Sequence, residues 1–426
     1  MNKLYPAAIP ALGAAVLLTL AATAPLAASV PTGDEKDPIF SNGFEVPPQA
    51  ICGWETALGT PGGSLNGIGR WGSDAYAGGS AGSAFNGVSN GVARIDLAAG
   101  TTHALGSTTL DDGFVTDFVA FDAGTGEKLY VVGSQNGISN GGTPVPNSNV
   151  VFSWDGTTAG ALAGASFPGL TFGWAGRVYQ GRLAIGGTTG IPQLPLLAFW
   201  DGTTWETHST GFEGLVAPII MTMVEYRGDL YVGGRFDRIR LPDGSGGEVV
   251  VESKNVMGFD GTGFFSVGGG VKRATSTISQ VQALAVFQDA LYIGGRFDAS
   301  AVGNVPMFAV ARWDGTTLSA VGRGFPMPTE VRDFEVYDDG TGPALYAVGS
   351  FTADTQGTPI RRFAKLVAGE WVEVAGGIGE NPNKALTLPD GRLAVAGSFT
   401  EVGGGGVAGS GPSTGIAALS CQLAPR

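Results

Sequence analysis

The chain has 426 residues, 43% hydrophobic and 14% charged, which is enough for a sizeable core in one large repeat-built domain or in two or three ordinary ones. Its 72 glycines lack the every-third spacing of collagen, which excludes that fold. Their number argues against long helices, because each interior glycine costs a helix roughly 1 kcal/mol relative to alanine. The net charge of −13 and the lack of a basic run argue against a nucleic-acid partner.

The N-terminus has the pattern of a secretory signal peptide. Lys3 precedes the apolar run AAIPALGAAVLLTLAATAPLAA, which ends in small residues, and this order predicts a signal peptide over residues 1–28, cut near Ala28 or Ser29. A membrane anchor is the weaker alternative, because prolines interrupt the run and no stop-transfer charges follow it. We therefore expect a secreted protein, periplasmic or extracellular, with no membrane span after cleavage.

Residues 29–50 are polar and rich in proline, which predicts a flexible linker. Within this linker, DPIFSNGFE resembles a short element of secreted bacterial proteins. Two interpretations stay open: a sorting or docking signal, and a linker that carries two phenylalanines by chance.

Two short phrases recur through the rest of the chain and define a repeat of about 50 residues. The first phrase is strand-like and occurs as AYAGG (75–79), LYVVG (129–133), LAIGG (183–187), LYVGG (230–234), LYIGG (291–295), LYAVG (345–349) and LAVAG (393–397). The second phrase follows as VARID (92–96), VFSWDG (151–156), LAFWDG (197–202), VMGFDG (256–261), VARWDG (310–315), FAKLVAGEW (363–371) and IAALSC (416–421).

Each repeat is predicted to form four antiparallel strands, since alternating apolar residues bounded by Gly and Asp are typical of strands. Asp-Gly pairs between the third and fourth strands, such as Asp314-Gly315, predict two-residue hairpin turns. The paired glycines that end the second strand predict crowded backbones or a bulge. Seven such repeats predict an all-β fold, a seven-bladed β-propeller over residues 51–426. A β-solenoid is the weaker alternative, because its repeats are shorter and its strands parallel.

The two ends of the repeat region complement each other. The last repeat stops at IAALSC without a fourth strand, while the segment CGWETALG (52–59), which precedes the first repeat, matches the WDGTTLSAVG phrase at 313–322. We therefore expect the N-terminal strand to complete the last blade and to bring Cys52 near Cys421, the only two cysteines. In an exported protein this pair predicts a disulfide, worth at most roughly 5–6 kcal/mol in the chain-entropy model.

The phrases LYVGGRF (230–236), WDGTTW (200–205) and GRGF (322–325) resemble the repeats of secreted propellers in a fungal cell-polarity marker family and the bacterial delta-60-like repeats. They are similar, more distantly, to kelch and galactose-oxidase propellers. The resemblance covers nearly the whole repeat region and implies a propeller fold, but no particular activity, since propellers serve many functions.

Catalytic and metal-binding motifs are scarce. The two histidines, His103 and His208, fall in predicted outermost strands of different repeats, and neither their spacing nor that of the cysteines suits zinc. Two histidines and no G-x-S-x-G elbow also argue against a Ser-His-Asp triad. We expect no metal and no cofactor.

The repeats carry one candidate ligand site. The sequence GGRFD places Arg235 with Asp237, and Arg296 with Asp298, after the second strand of neighbouring repeats, on the face where the long loops are predicted. Two Arg/Asp pairs there would bind a carboxylate or a sugar, which the guanidinium fork suits. The favoured alternative is structural, with each arginine pairing with a nearby aspartate between blades.

These patterns favour a monomeric secreted propeller that binds a glycan, a cell-wall component or an exported protein on its loop-rich face. The alternative is a polysaccharide lyase or glycoside hydrolase that uses Asp237 or Asp298 with Tyr226, Tyr231 or Arg235.

Overall fold

The computed structural model describes residues 50–56, 58, 61–85, 91–163, 169–189, 195–207, 211–404 and 407–424. The predicted signal peptide and all of the linker except Ala50 lie outside these ranges. Among the described residues the fold is all-β, built from repeated four-stranded antiparallel sheets and without a helix, as in β-propeller-like proteins.

Seven four-stranded sheets account for most of the described chain. Sheets 1 to 4 contain the following strands: Leu65–Trp71, Asp74–Gly79, Val92–Asp96 and Thr101–Ala104 in sheet 1; Val115–Asp122, Glu127–Gly133, Val151–Trp154 and Ala159–Gly160 in sheet 2; Phe172–Tyr179, Arg182–Thr188, Leu197–Trp200 and Trp205–Thr207 in sheet 3; Ile219–Tyr226, Asp229–Arg235, Val256–Phe259 and Phe264–Ser266 in sheet 4. In each of them the strands lie side by side in chain order.

Sheets 5 and 6 repeat this order, and sheet 7 takes its fourth strand from the N-terminal end. Their strands are as follows: Gln280–Phe287, Ala290–Arg296, Val310–Trp313 and Leu318–Ala320 in sheet 5; Val331–Asp338, Pro343–Gly349, Phe363–Val367 and Glu370–Glu373 in sheet 6; Asn381–Thr387, Leu393–Ser398, Ile416–Leu423 and Ala50–Glu55 in sheet 7.

The N-terminal strand pairs antiparallel with Ile416–Leu423, as the sequence predicts. Cys52 lies directly opposite Cys421 in this register, with 4.1 Å between their Cα atoms, and the two form a disulfide. Trp54 packs in the core of the same sheet and donates from Nε1 to the Ala375 carbonyl at 2.8 Å. The predicted disulfide is therefore present, and it links strands from opposite ends of the chain.

The first strand of every sheet carries a bulge opposite a glycine that is the last or next-to-last residue of the second strand. In sheet 4, a Cβ on Gly234 would overlap the Ile219 carbonyl oxygen, and in sheet 5 a Cβ on Gly295 would overlap that of Gln280. Only glycine lets the two backbones approach this closely. The paired glycines thus mark crowding and a bulge, as predicted.

The prediction of two-residue Asp-Gly turns is wrong. Trp313 pairs with Leu318, so the turn between them has four residues, and in it the Asp314 carboxylate accepts from the Thr316 and Thr317 amides at 2.9 and 2.8 Å. The Asp314 side chain thus closes the turn, and Gly315 (100°) is the one residue of the four with a positive φ, whereas a type I′ turn needs two. Turns with two positive φ values instead join the first and second strands, as at Arg227 (54°) and Gly228 (88°).

The two ends of the sheets differ in their connections. Loops that join the second and third strands, and those that join one sheet to the next, lie at the same end, because antiparallel strands alternate in direction. We call this the loop-rich end. Short strands pair there: Pro61–Gly62 with Ala84–Phe85; Thr108–Leu110, Ile138–Asn140 and Thr143–Val145; Phe212–Glu213, Arg238–Pro242 and Glu248–Glu252; Val271–Lys272 with Ala299–Ser300; Glu401–Val402 with Gly411–Pro412.

The core is divided among the spaces between neighbouring sheets. Each hydrophobic cluster combines residues of two sheets that are consecutive in the chain, such as Met223 of sheet 4 with Phe199 of sheet 3. One further cluster joins sheet 7 to sheet 1, where Ile416 packs with Leu65. The first strands follow the same sequence of contacts, each touching the next, and that of sheet 7 touches that of sheet 1.

Candidate functional site

The seven bulges place one side chain each around a common cavity. The residues at the register shift are of six types in the seven sheets, and all seven line a cavity of about 360 Å³: Asn66, Thr116, Trp174, Met221, Gln282, Arg332 and Asn383. A bulge changes the direction of a side chain that would point to one face of the sheet in a regular strand. The bulges lie near the start of the first strands and hence at the loop-rich end. We call this space the entrance cavity.

The entrance cavity has an apolar side and a polar side. Phe114, Trp174 and Met221 come from sheets 2 to 4 or the loops before them, and the rings of Phe114 and Trp174 lie 5.8 Å apart. Gln282 and Arg332, from sheets 5 and 6, are polar residues of the same lining. A cavity of this size with one aromatic wall and a few polar groups suits a small ligand.

The polar side keeps hydrogen-bonding capacity. Lys384 lies with its Nζ 3.8 Å from Asp333 Oδ1, and among the described residues its ammonium makes no hydrogen bond. Gln282 Oε1 is buried without a partner there. Arg332 donates to Asn383 Oδ1 at 3.0 Å, and its Nε lies 3.7 Å from Glu330 Oε2.

A second cavity of about 440 Å³ adjoins the first, since Met221 and Lys384 line both. Its carboxylates are held by backbone amides of the next sheet: Asp117 accepts from Gly176 at 2.9 Å, and Asp333 accepts from Ala385 at 3.0 Å. Burial raises the pKa of Asp333, and burial likewise raises the pKa of Glu335. These contacts join neighbouring first strands and leave the carboxylates fewer free lone pairs than an open site would.

The structure does not pair Arg235 with Asp237. Arg235 donates from Nε to the Ala217 carbonyl at 3.2 Å, while Asp237 lies 2.6 Å from Lys254 Nζ and accepts from the Leu215 amide. Both residues line a cleft of only about 10 Å³, which is room for about one water molecule.

Arg296 and Asp298 are also engaged separately. Arg296 Nη1 lies 3.5 Å from Glu330 Oε1 of the loop before sheet 6, and its Nε is buried without a partner among the described residues. Asp298 accepts from the Ala274 amide at 2.6 Å. Arg296 thus bridges two sheets, but through a glutamate, and it reaches the lining of the entrance cavity through Glu330.

The tyrosines of the enzyme alternative lie away from the aspartates. The Tyr226 hydroxyl donates to the Asp289 carbonyl at 2.9 Å, at the turn end opposite the loop-rich end. Tyr231 is 4% exposed and packs its ring on Tyr226 and Phe265. Six residues of strand separate Asp229, next to Tyr226, from Arg235, which is roughly 20 Å.

No group of three or more His, Cys, Asp or Glu side chains in the described part of the chain is arranged to hold a metal ion. His103 is exposed on the fourth strand of sheet 1, with Nε2 3.1 Å from Thr101 Oγ1. His208 lies outside the described residues. Within the described ranges, no helix has the length and apolar character that a membrane crossing requires.

Sequence reasoning missed the bulge residues because it aligned the second and third strands, whose phrases repeat, and not the first, whose bulge position varies. The available signal was indirect. A glycine near the end of each second strand indicates that the backbone of the facing first strand comes close to it. The residue at the bulge on that first strand, which is not part of the repeated sequence, is the one that lines the cavity.

Comparison with known proteins identifies no family. No protein-family model matches the chain, and no curated protein matches it. Among solved structures, it is similar to the crystal structure of the computationally designed Ika8 protein, with a TM-score of 0.43 and 12% sequence identity over 86% of this chain and 98% of the designed one. A likeness of this degree supports no conclusion about fold or function.

Proposed function

We propose that the chain is a secreted, monomeric seven-bladed β-propeller that binds a glycan, a cell-wall component or an exported protein at its loop-rich end. Secretion is supported by the signal-peptide pattern of residues 1–28 and by the Cys52–Cys421 disulfide, a bond typical of oxidising compartments.

The seven-bladed ring is supported by how the sheets follow one another. Each four-stranded sheet shares a hydrophobic cluster with the next, and the cluster of Leu65 and Ile416 joins the seventh to the first. The contacts between first strands run in the same cyclic order. This arrangement is expected of blades around a central channel.

The observation that carries the binding function is the entrance cavity. Seven bulged residues of six different types meet there, although the strands behind them repeat nearly the same phrase. A repeat scaffold with one non-repeating position per unit, all converging on one space, is suited to recognition of a specific ligand.

Exposed apolar side chains also favour the loop-rich end as the binding surface. Leu215 is 74% exposed and Val302 is 68% exposed, both in loops at the loop-rich end of sheets 4 and 5. Further exposed apolar residues of these loops are Val216, Ile278, Val305 and Phe308. Apolar side chains clustered on loops favour contact with a partner or ligand.

The polysaccharide-active enzyme has less support. A glycosidase needs two carboxylates facing each other in one cleft, whereas Asp237 and Lys254 line a cleft of only about 10 Å³ and Asp298 accepts from a backbone amide elsewhere. The Tyr226 hydroxyl donates to the Asp289 carbonyl at the opposite end of the sheet, so it could not contact a substrate bound at the loop-rich end.

A binding screen tests the proposal. The mature chain is applied to immobilised glycans and cell-wall fragments, and each hit is titrated with Trp174→Ala, Arg235→Ala and Arg296→Ala. We expect Trp174→Ala to weaken binding at least tenfold, because it removes the aromatic wall of the entrance cavity. Arg235→Ala should bind like the parent, since Arg235 contacts a backbone carbonyl beside a cleft too small for a sugar.

The matched control is Trp205→Ala, in the fourth strand of sheet 3, with the melting temperature of every variant measured in parallel. Absence of any bound glycan or cell-wall fragment, or equal affinity of the parent and the Trp174 variant, would contradict the proposed site. Release of reducing ends from a polysaccharide would favour the enzyme.

A further inference from the structure

The charge around the entrance cavity is opposite to that of the whole molecule. The chain carries a net charge of −13, but the charged residues lining this cavity are the cations Arg332 and Lys384 and the single carboxylate Glu330. Glu330 lies 3.5 Å from Arg296 and 3.7 Å from Arg332. Two guanidinium groups therefore share the Glu330 carboxylate, and Lys384 has Asp333 of the adjoining cavity 3.8 Å from its Nζ. The charged side chains that line the entrance cavity itself are two cations and one carboxylate.

Lys384 is the cation with the most unused capacity. Its three N–H donors have no hydrogen-bond acceptor among the described residues. Its ion-pair partner, Oδ1 of Asp333, is 3.8 Å away, while Oδ2 of the same carboxylate accepts from the Ala385 amide. The Lys384 side chain is 25% exposed, so a ligand would reach it. An ammonium whose ion-pair partner lies beyond hydrogen-bond distance keeps its donors for an anionic ligand group.

The aromatic residues of the cavity lining suit a flat, partly apolar ring. Phe114 and Trp174 form an aromatic pair with 60° between their planes, and Met221 adds an apolar surface beside them. The amides of Gln282, Asn66 and Asn383 line the same cavity and offer donors and acceptors to hydroxyl groups.

We propose that the entrance cavity binds one sugar ring that carries a carboxylate, as in a uronic acid unit. The ring packs on Trp174, the hydroxyls contact the amides, and the carboxylate pairs with Lys384 and Arg332. The volume of about 360 Å³ holds one sugar unit, or one unit and part of the next, within the range of ordinary ligand cavities. This inference rests on the proposed binding function and names its ligand class.

Calorimetric titration tests the ligand class with matched sugars. Galacturonic and glucuronic acid are compared with galactose and glucose, which have the same rings without the carboxylate, and with acetate and benzoate, which have the carboxylate without the sugar. We expect one uronic acid to bind at least tenfold more tightly than its neutral counterpart and than both simple acids. The preference should weaken as salt is added.

Lys384→Met should remove at least tenfold of the affinity for the acid and leave binding of neutral sugar unchanged, because methionine keeps the length of the side chain without its charge. Lys128→Met, at the start of the second strand of sheet 2, is the matched control and should change neither. Trp174→Leu should weaken acidic and neutral sugars alike. Melting temperatures of the three variants identify any loss of fold.

The outcomes separate the two proposals. The uronic acid assignment would be overturned if acidic and neutral sugars bound equally, or if Lys384→Met kept the full preference for the acid. The binding function would still stand in that case if a glycan bound and Trp174→Ala weakened its binding. Acetate or benzoate binding as tightly as the uronic acids would show a simple anion site and overturn the sugar ring. A glycan screen without any hit would contradict the binding function itself.

Discussion

The turns between the third and fourth strands depend on single aspartates. Asp314 has its pKa lowered to about 2, chiefly because the Thr317 and Thr316 amides donate to its carboxylate. Backbone donors likewise lower the pKa of Asp155, Asp201 and Asp260 in the equivalent turns. The sequence marked these positions through their Asp-Gly pairs, but the aspartate acts by accepting hydrogen bonds and the glycine alone takes positive φ.

These aspartates predict a specific acid sensitivity. A carboxyl group whose folded pKa is depressed contributes stability above its unfolded value near pH 4, and this contribution is lost as the pH falls through the folded value. Replacing all four by asparagine keeps an acceptor oxygen but removes the titration. We therefore expect the fall in unfolding free energy between pH 6 and pH 2.5, measured by urea denaturation, to be smaller in the fourfold variant.

Glu127→Gln serves as the control, since the side chain of Glu127 is exposed and makes no hydrogen bond to a described residue. It should leave the pH dependence unchanged. A fourfold variant that loses as much stability in acid as the parent would show that these turns are not the source of the sensitivity.

At the scale of the element, the bulged first strand and the glycine-ended second strand form one unit. The glycine removes a Cβ where the facing carbonyl approaches, and the bulge opposite it turns a side chain toward the entrance cavity. The sequence predicted the crowding because paired glycines recur in one phrase. It did not predict which face the bulged residue would occupy, because a register shift of one residue exchanges the two faces of a strand.

Gly234→Ala tests this unit. A Cβ at this position would overlap the Ile219 carbonyl oxygen, so we expect a loss of roughly 2–4 kcal/mol in unfolding free energy, typical of a substitution that forces backbone displacement. Urea denaturation monitored by tryptophan fluorescence measures the change.

The matched control is Gly263→Ala in the turn of the same sheet, where no atom lies within 4 Å of an added Cβ. It should change the unfolding free energy by no more than about 0.5 kcal/mol. Equal stability of the two variants would mean that the close approach at Gly234 is relaxed in solution.

At the scale of the molecule, the two ends of the repeat region depend on one sheet. Cys52 and Cys421 are 369 residues apart in sequence and face each other across neighbouring strands. In the chain-entropy model, cross-linking a segment of this length lowers the entropy of the unfolded chain and so raises the unfolding free energy by up to about 6 kcal/mol. The disulfide should therefore hold the first and last parts of the chain together during thermal fluctuations.

We expect reducing agent to lower the melting temperature clearly, measured by scanning calorimetry on the parent chain. The Cys52→Ser/Cys421→Ser variant should melt at the lower temperature with or without reducing agent, which controls for other effects of the reagent. A reduced parent as stable as the oxidised one would show that strand pairing alone secures this sheet.

The sequence by itself determined the repeat length, the strand content, the glycine crowding and the pairing of the chain ends, because each depends on local chemistry that recurs or on two cysteines with no other partners. It also placed the long loops at one end of the sheets, since they fall between the same strands in each repeat. Only the tertiary structure decided that Arg235 and Asp237 have separate partners, and that seven residues of six types meet in one cavity. Those residues are dispersed over more than three hundred positions, and their convergence follows from how the sheets pack around one another, which no single repeat encodes.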